Sequence, residues 1–188
     1  MTLWQSPYPL LQWGAVIAAT LIAAGTDLRA RRIPNWLTGP LFLGGLVWAV
    51  STGSWRGLGD SFAAAVLMAF PFVLLFIFAG GGAGDAKLMG AAGAWLGLIN
   101  GAAALVAVCV FGIALAMTVA IVKGRGREVA GNVAGIMTGW MAMAATRQAP
   151  AVVSEAQPAR AKAQTVPYGV AICLGVCAAG IGVFLWRA

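Results

Sequence analysis

Six apolar runs, at 9–26, 36–52, 61–80, 84–99, 101–122 and 167–186, constrain this chain more than any other feature. A hydrocarbon core of about 30 Å takes roughly 20 helical residues to cross, and runs of this length between polar turns match that requirement. Lipid offers backbone N–H and C=O groups no partner, so spanning segments must be helices or closed barrels. These runs do not alternate in polarity as barrel strands would. The expected fold class is therefore all-α: a polytopic transmembrane helical bundle of about six spans, built as a single membrane domain over residues 1–188. Composition agrees, with 61% hydrophobic residues, 9% charged residues and a mean hydropathy of +0.90, far from an ordinary soluble domain.

The connections carry the charge. Residues 27–35 hold three arginines, 51–60 contain Gly53, Gly57 and Gly59, 80–84 are nearly all glycine, and Asn100-Gly101 makes a minimal turn. With the N-terminus outside, Arg29, Arg31, Arg32, Lys87, Lys123, Arg125, Arg127, Arg147, Arg160 and Lys162 fall on the cytoplasmic side. Only Arg56 and Arg187 fall outside, as the positive-inside rule requires. The net charge of +7 is thus expected to face anionic lipid, and nucleic acid is not an expected partner. No basic region or small-residue cleavage site accompanies the first run, so that run is expected to remain as a span. Residues 123–166 form an extended cytoplasmic segment, in which Val129, Val133, Ile136, Met137, Trp140 and Met141 recur at helical spacing. An interfacial amphipathic helix is expected there; a seventh span over 129–146 is the rival. With no histidine, and with Cys109, Cys173 and Cys177 all inside apolar runs, neither a metal site nor a cofactor is expected.

An ionisable group costs about 2.5–3.5 kcal/mol at mid-membrane, so each acid near a span needs a reason. There are five. Asp60 is placed to N-cap a helix, and Glu128 and Glu155 lie among basic residues in the polar segment. Asp27 ends the first span and Asp85 begins the fourth, which puts both at one membrane depth. Taken alone, Asp27 could pair with a neighbouring arginine and Asp85 could cap its helix. Taken together, two carboxylates can hold a water, one ionised to activate it and the other protonated to donate. Without histidine, no Ser-His, Cys-His or zinc peptidase constellation competes.

Three elements in order carry a resemblance: Asp27 with its arginines and Ile33-Pro34-Asn35; Gly82-Ala83-Gly84-Asp85 followed by Ala86-Lys87; and Pro167-Tyr168-Gly169 opening the last run. With these the chain resembles the type IV prepilin peptidases, aspartyl proteases with a GxGD motif, and most of all the short forms that serve tight-adherence pili. The resemblance implies cleavage of prepilin or pseudopilin leaders at the cytoplasmic face of the bacterial inner membrane, with Asp27 and Asp85 as the catalytic pair. It implies site-shaping or substrate-binding roles for Gly82, Gly84, Lys87, Pro34, Asn35, Pro167, Tyr168 and Gly169. Lipid and the pilus assembly machinery are the further partners it implies. Larger relatives carry a cytoplasmic insertion with paired CxxC motifs and also methylate the new N-terminus; this sequence has no such insertion, so only peptidase activity is carried over. The alternatives from residues alone are a carboxylate-dependent transporter or proton pathway, a GxGD protease with another membrane substrate, and a non-catalytic assembly subunit.

Overall fold

The computed structural model of the 188-residue chain describes residues 8–79, 81–122 and 168–187. Within them the protein forms four helices: α1 (Pro9–Ala30), α2 (Asn35–Ala79), α3 (Ala83–Val122) and α4 (Tyr168–Arg187). All four are long and apolar enough to cross a membrane, and no strand occurs among the described residues. The segment 123–166, with the amphipathic helix or seventh span expected at 129–146, lies outside the described residues, as does Pro167.

The six separate helices expected from sequence are replaced by four, for a local reason. At 45 and 40 residues, α2 and α3 would be about 60 to 70 Å long if straight, twice a hydrocarbon core. Each is broken at a single residue: Ser54, with φ 53° and ψ −148°, and Gly97, with φ 70° and ψ 179°. Packing runs in opposite directions on either side of each break. In the first half of α2, Asn35 meets Lys87 and Gly45 meets Ala94, so it runs alongside the first half of α3. In the second half, Ala64 meets Gly93 and Ala69 meets Gly90, so the direction is reversed. Beyond Gly97, Gly101 lies on Met68 and Gly112 on Tyr168, whose ring in turn meets Phe72. The chain turns back within one residue and leaves no separate loop at either place. The turn expected at Asn100-Gly101 therefore falls at Gly97, and most of the expected 51–60 connection is helical.

Gly97 adopts a conformation open essentially only to glycine, and the α-helical bond from Leu98 N–H to Ala94 C=O is lost. Both groups left over are satisfied by neighbouring residues of α2: Asp60 Oδ2 accepts from Leu98 N–H at 3.0 Å, and Ser61 Oγ donates to the Ala94 carbonyl. Gln12 Nε2 of α1 donates to the Trp95 carbonyl, and Trp95 Nε1 donates to Leu41 O at 2.7 Å. Asp60 was expected to cap its own helix; instead it caps the second half of α3. Asp60→Ala leaves the Leu98 amide without a partner and is expected to cost about 1–3 kcal/mol, read as a lower unfolding temperature in detergent.

The interior is built from Trp13, Val16, Met68, Leu88, Met89, Leu96, Val108, Ile172 and Val176, all buried. Small residues let backbones approach closely: a Cβ on Gly93 would stand 2.5 Å from Ala64 O, and one on Gly175 would stand 2.5 Å from Val108 Cα. The outside carries Leu21, Leu43, Phe62, Phe70, Val106 and Ile181, as a lipid-facing surface should. α4 packs antiparallel to α1, with Gly169 against Asp27 and Gly180 against Trp13. Contacts divide the chain into a bundle of residues 1–113 and 167–188 and a second unit from 114 to 166. The described part of the second unit is the helical stretch to Val122, where Thr118 Oγ1 donates to Ala114 O at 2.8 Å.

Candidate active site

The end of α1, the start of α2, the start of α3 and the start of α4 meet at one end of the bundle. α1 stops because Arg31 enters the left-handed region, φ 49° and ψ 39°, with its N–H on Asp27 O at 2.9 Å. Asp27 is thereby held in the last turn, with its side chain buried. Three residues later Pro34 sets the entry to α2, its carbonyl accepting from Leu37 and Thr38 N–H at 3.1 and 3.4 Å. α3 begins at Ala83, which puts Asp85 in its first turn, with its N–H on Gly82 O at 3.2 Å.

The two glycines of the Gly82-Ala83-Gly84-Asp85 motif have different tasks. The Asp85 carboxylate folds back over Gly82, where a Cβ would sit 2.8 Å from Oδ2. Gly84 lets α3 close on the connection before α2, since its Cβ would sit 3.0 Å from that of Ile33. Asp27 and Asp85 line one cleft of about 440 Å³, together with Arg31, Arg32, Pro34, Asn35, Gly82 and Gly84. The two carboxylates lie within reach of each other's field.

Asp27 takes its hydrogen bond from α4: the Gly169 amide donates to Oδ2 at 2.9 Å, in the first turn of that helix. The helix N-terminus supplies an oriented donor and a favourable dipole for a carboxylate. No side chain fits at Gly169, where a Cβ would meet Asp27 Cβ and Oδ2 at 3.0 Å. Tyr168 stands beside it, its ring edge on Phe72 at 6.1 Å and its hydroxyl where a Cβ on Gly112 would be only 2.7 Å away. Lys87 Nζ donates to Asn35 Oδ1 at 3.0 Å and ties α3 to α2 at the rim. Of the residues expected at a site, all but Pro167 are thus gathered here or beside it. Ile33, which packs Gly84, belongs to the Ile33-Pro34-Asn35 element but had no expected role of its own, and Phe72, which packs Tyr168, carries no motif signature and was not expected. Among the described residues no three His, Cys, Asp or Glu side chains come together.

A model of the type IV leader peptidase family matches residues 14–117. This chain belongs to that family. No curated protein and no solved structure gives a significant match. The type IV leader peptidase match carries with it a leader-peptidase-like protease activity, and it spans Asp27, the connection to α2 and the Gly82–Asp85 motif. It ends before α4, so the contact of Gly169 with Asp27 lies outside the matched residues.

Proposed function

We propose that this protein is an aspartyl endopeptidase that removes the leader from type IV prepilins or pseudopilins of the tight-adherence kind, with Asp27 and Asp85 activating a water. The observation that carries this reading is the single cleft lined by both carboxylates, one from the end of α1 and one from the start of α3. A water between them loses a proton to the ionised carboxylate as its oxygen attacks the scissile carbonyl. The protonated carboxylate then passes its proton to the departing amide nitrogen, leaving a new carboxyl and a new amine. Gly169 holds Asp27, Gly82 and Gly84 let Asp85 reach the cleft, and Pro34, Asn35, Lys87 and Tyr168 shape its surroundings.

In this reading the halves of α2 and α3 act as separate crossings, six in all, in the bacterial inner membrane. The N-terminus lies outside and the cleft faces the cytoplasm. The reversals at Ser54 and Gly97 support that count, and the arginines at 29, 31 and 32 support the orientation. Lipid and the pilus assembly machinery are the expected partners besides the substrate.

The test is reconstitution of the purified protein in liposomes with a prepilin precursor, followed by mass analysis of the products. The expected result is one cut at the leader junction. Ion or solute flux that depends on the aspartates, with the precursor left whole, would replace the protease reading with a transporter.

A further inference from the structure

Beside the catalytic cleft lies a second hollow, of about 500 Å³, whose shape follows from the fold. The two halves of α2, joined at Ser54, press on α3 from both sides at Gly93 and Ala94. A Cβ at Gly45 would stand 2.8 Å from the Ala94 backbone, and one at Gly93 would stand 2.5 Å from Ala64 O. One helical turn nearer the aspartates the contact relaxes: a Cβ at Gly90 would lie 3.4 Å from that of Ala69. Residues of both halves of α2 line the hollow over α3, and it forms a wedge between them. Gly39 and Phe42 stand on one wall, Ala69 and Val73 on the other, and Ala86 and Gly90 form the floor.

We propose that this wedge receives the apolar, membrane-embedded segment of the substrate that adjoins the scissile bond. The inference rests on the reading of the protein as a leader peptidase with Asp27 and Asp85 at its centre. Three observations favour this occupant. Asn35 lines both hollows, so the wedge adjoins the cleft at the side where a bound chain would leave it. The lysine at the junction is already engaged, its Nζ on Asn35 Oδ1 at 3.0 Å, and apart from Asn35, Lys87 and Thr38 the lining is apolar, which suits an apolar segment. Finally, the wall from Asn35 to Phe42 runs for about 10 Å, or two helical turns, and the small residues of the hollow, Gly39, Ala65, Ala69, Ala86 and Gly90, admit a helix backbone at close range. Substrate specificity then resides partly in the shape of the first two turns beyond the cut.

Photoleucine, whose small diazirine side chain leaves the wedge open, placed at Gly39 or Ala69 in an Asp85→Asn background that keeps the precursor whole, tests the assignment by photocrosslinking in liposomes. Leu43 and Leu67, exposed on the same helices, serve as outward-facing controls. Capture of the precursor through the first two turns beyond its cleavage site, at Gly39 and Ala69 and not at the controls, is the expected result. Lipid adducts alone, or crosslinks to a second copy of this chain, would overturn the wedge assignment; if the unmodified protein still cleaves precursor, the peptidase reading survives that outcome. An unmodified protein that cleaves nothing, in a membrane where Gly39 and Ala69 capture no precursor, overturns both. As an independent measurement, Ala69→Phe fills the wedge and is expected to raise KM for the membrane-embedded precursor about tenfold. An unchanged KM in that variant would also overturn the assignment.

Discussion

Asn at position 27 or 85 is expected to slow leader cleavage by about 10²–10⁴-fold, the range that one acid–base group supplies, while leaving the protein folded. Asparagine is the informative replacement because it keeps the shape and an acceptor oxygen. The Gly169 amide, now 2.9 Å from Asp27 Oδ2, still has a partner in Asp27→Asn. The Asp85 side chain still fits over Gly82, where there is no room for a larger group. If the carboxylates act on one water, removing either disables the step, so the double variant should be no slower than the slower single one. Initial rates of all three variants in liposomes, beside their unfolding temperatures, give the answer. A folded single variant that cuts at the wild-type rate would remove that residue from the chemistry.

Substitution at Gly169 is expected to produce the next largest effect, although this residue touches no substrate in the proposed mechanism. Its amide orients Asp27, and its missing side chain is what allows the approach: a Cβ would come to 3.0 Å from both Cβ and Oδ2 of the aspartate. Alanine asks the carboxylate to yield by a few tenths of an ångström, and valine asks for more. A displacement near 1 Å costs about 10²-fold in rate, so Gly169→Val should lose on that order and Gly169→Ala distinctly less. Gly182→Ala on the same helix is the control, because nothing lies within 4 Å of the added atom. A positioning role predicts a graded fall in kcat for the Gly169 series while Gly169→Ala unfolds at the same temperature as Gly182→Ala. A parallel loss of stability and rate would make Gly169 a packing residue only.

How far the sequence could foretell these features depends on how local their causes are. Apolar run length is a local property, and it foretold an all-helical membrane protein and the start of α3 near Gly84. The placement of Asp27 and Asp85 at one end followed from their positions at the end of the first run and the start of the fourth, with successive runs alternating in direction. The exact residue of each reversal did not. Ser54 breaks α2 with no glycine at the break itself, while Gly53, Gly57 and Gly59 around it stay helical. Asn100-Gly101 has the look of a turn, yet Gly101 is helical and is needed for its closeness to Met68, whose sulfur would lie 3.0 Å from an added Cβ. Asp60 has the look of a cap for its own helix because its true partner, the Leu98 amide, lies in another helix. The contact between Gly169 and Asp27 likewise joins the two ends of the bundle's chain, and no spacing rule reaches across that separation.

The exchanged hydrogen bonds at Gly97 also bear on how the protein is made. Ribosomes deliver the chain from its N-terminus, so Asp60 and Ser61 enter the bilayer before the Ala94 carbonyl and Leu98 amide that they will satisfy. The late-arriving hairpin finds its partners waiting and need not hold bare peptide groups in hydrocarbon. Order of synthesis then becomes part of the stability problem. A permuted gene that encodes α3 ahead of α2 is expected to yield less protease-protected protein than the natural order, although the finished fold would contain the same contacts. Equal yields from the two orders would show that the hairpin can wait for its partners.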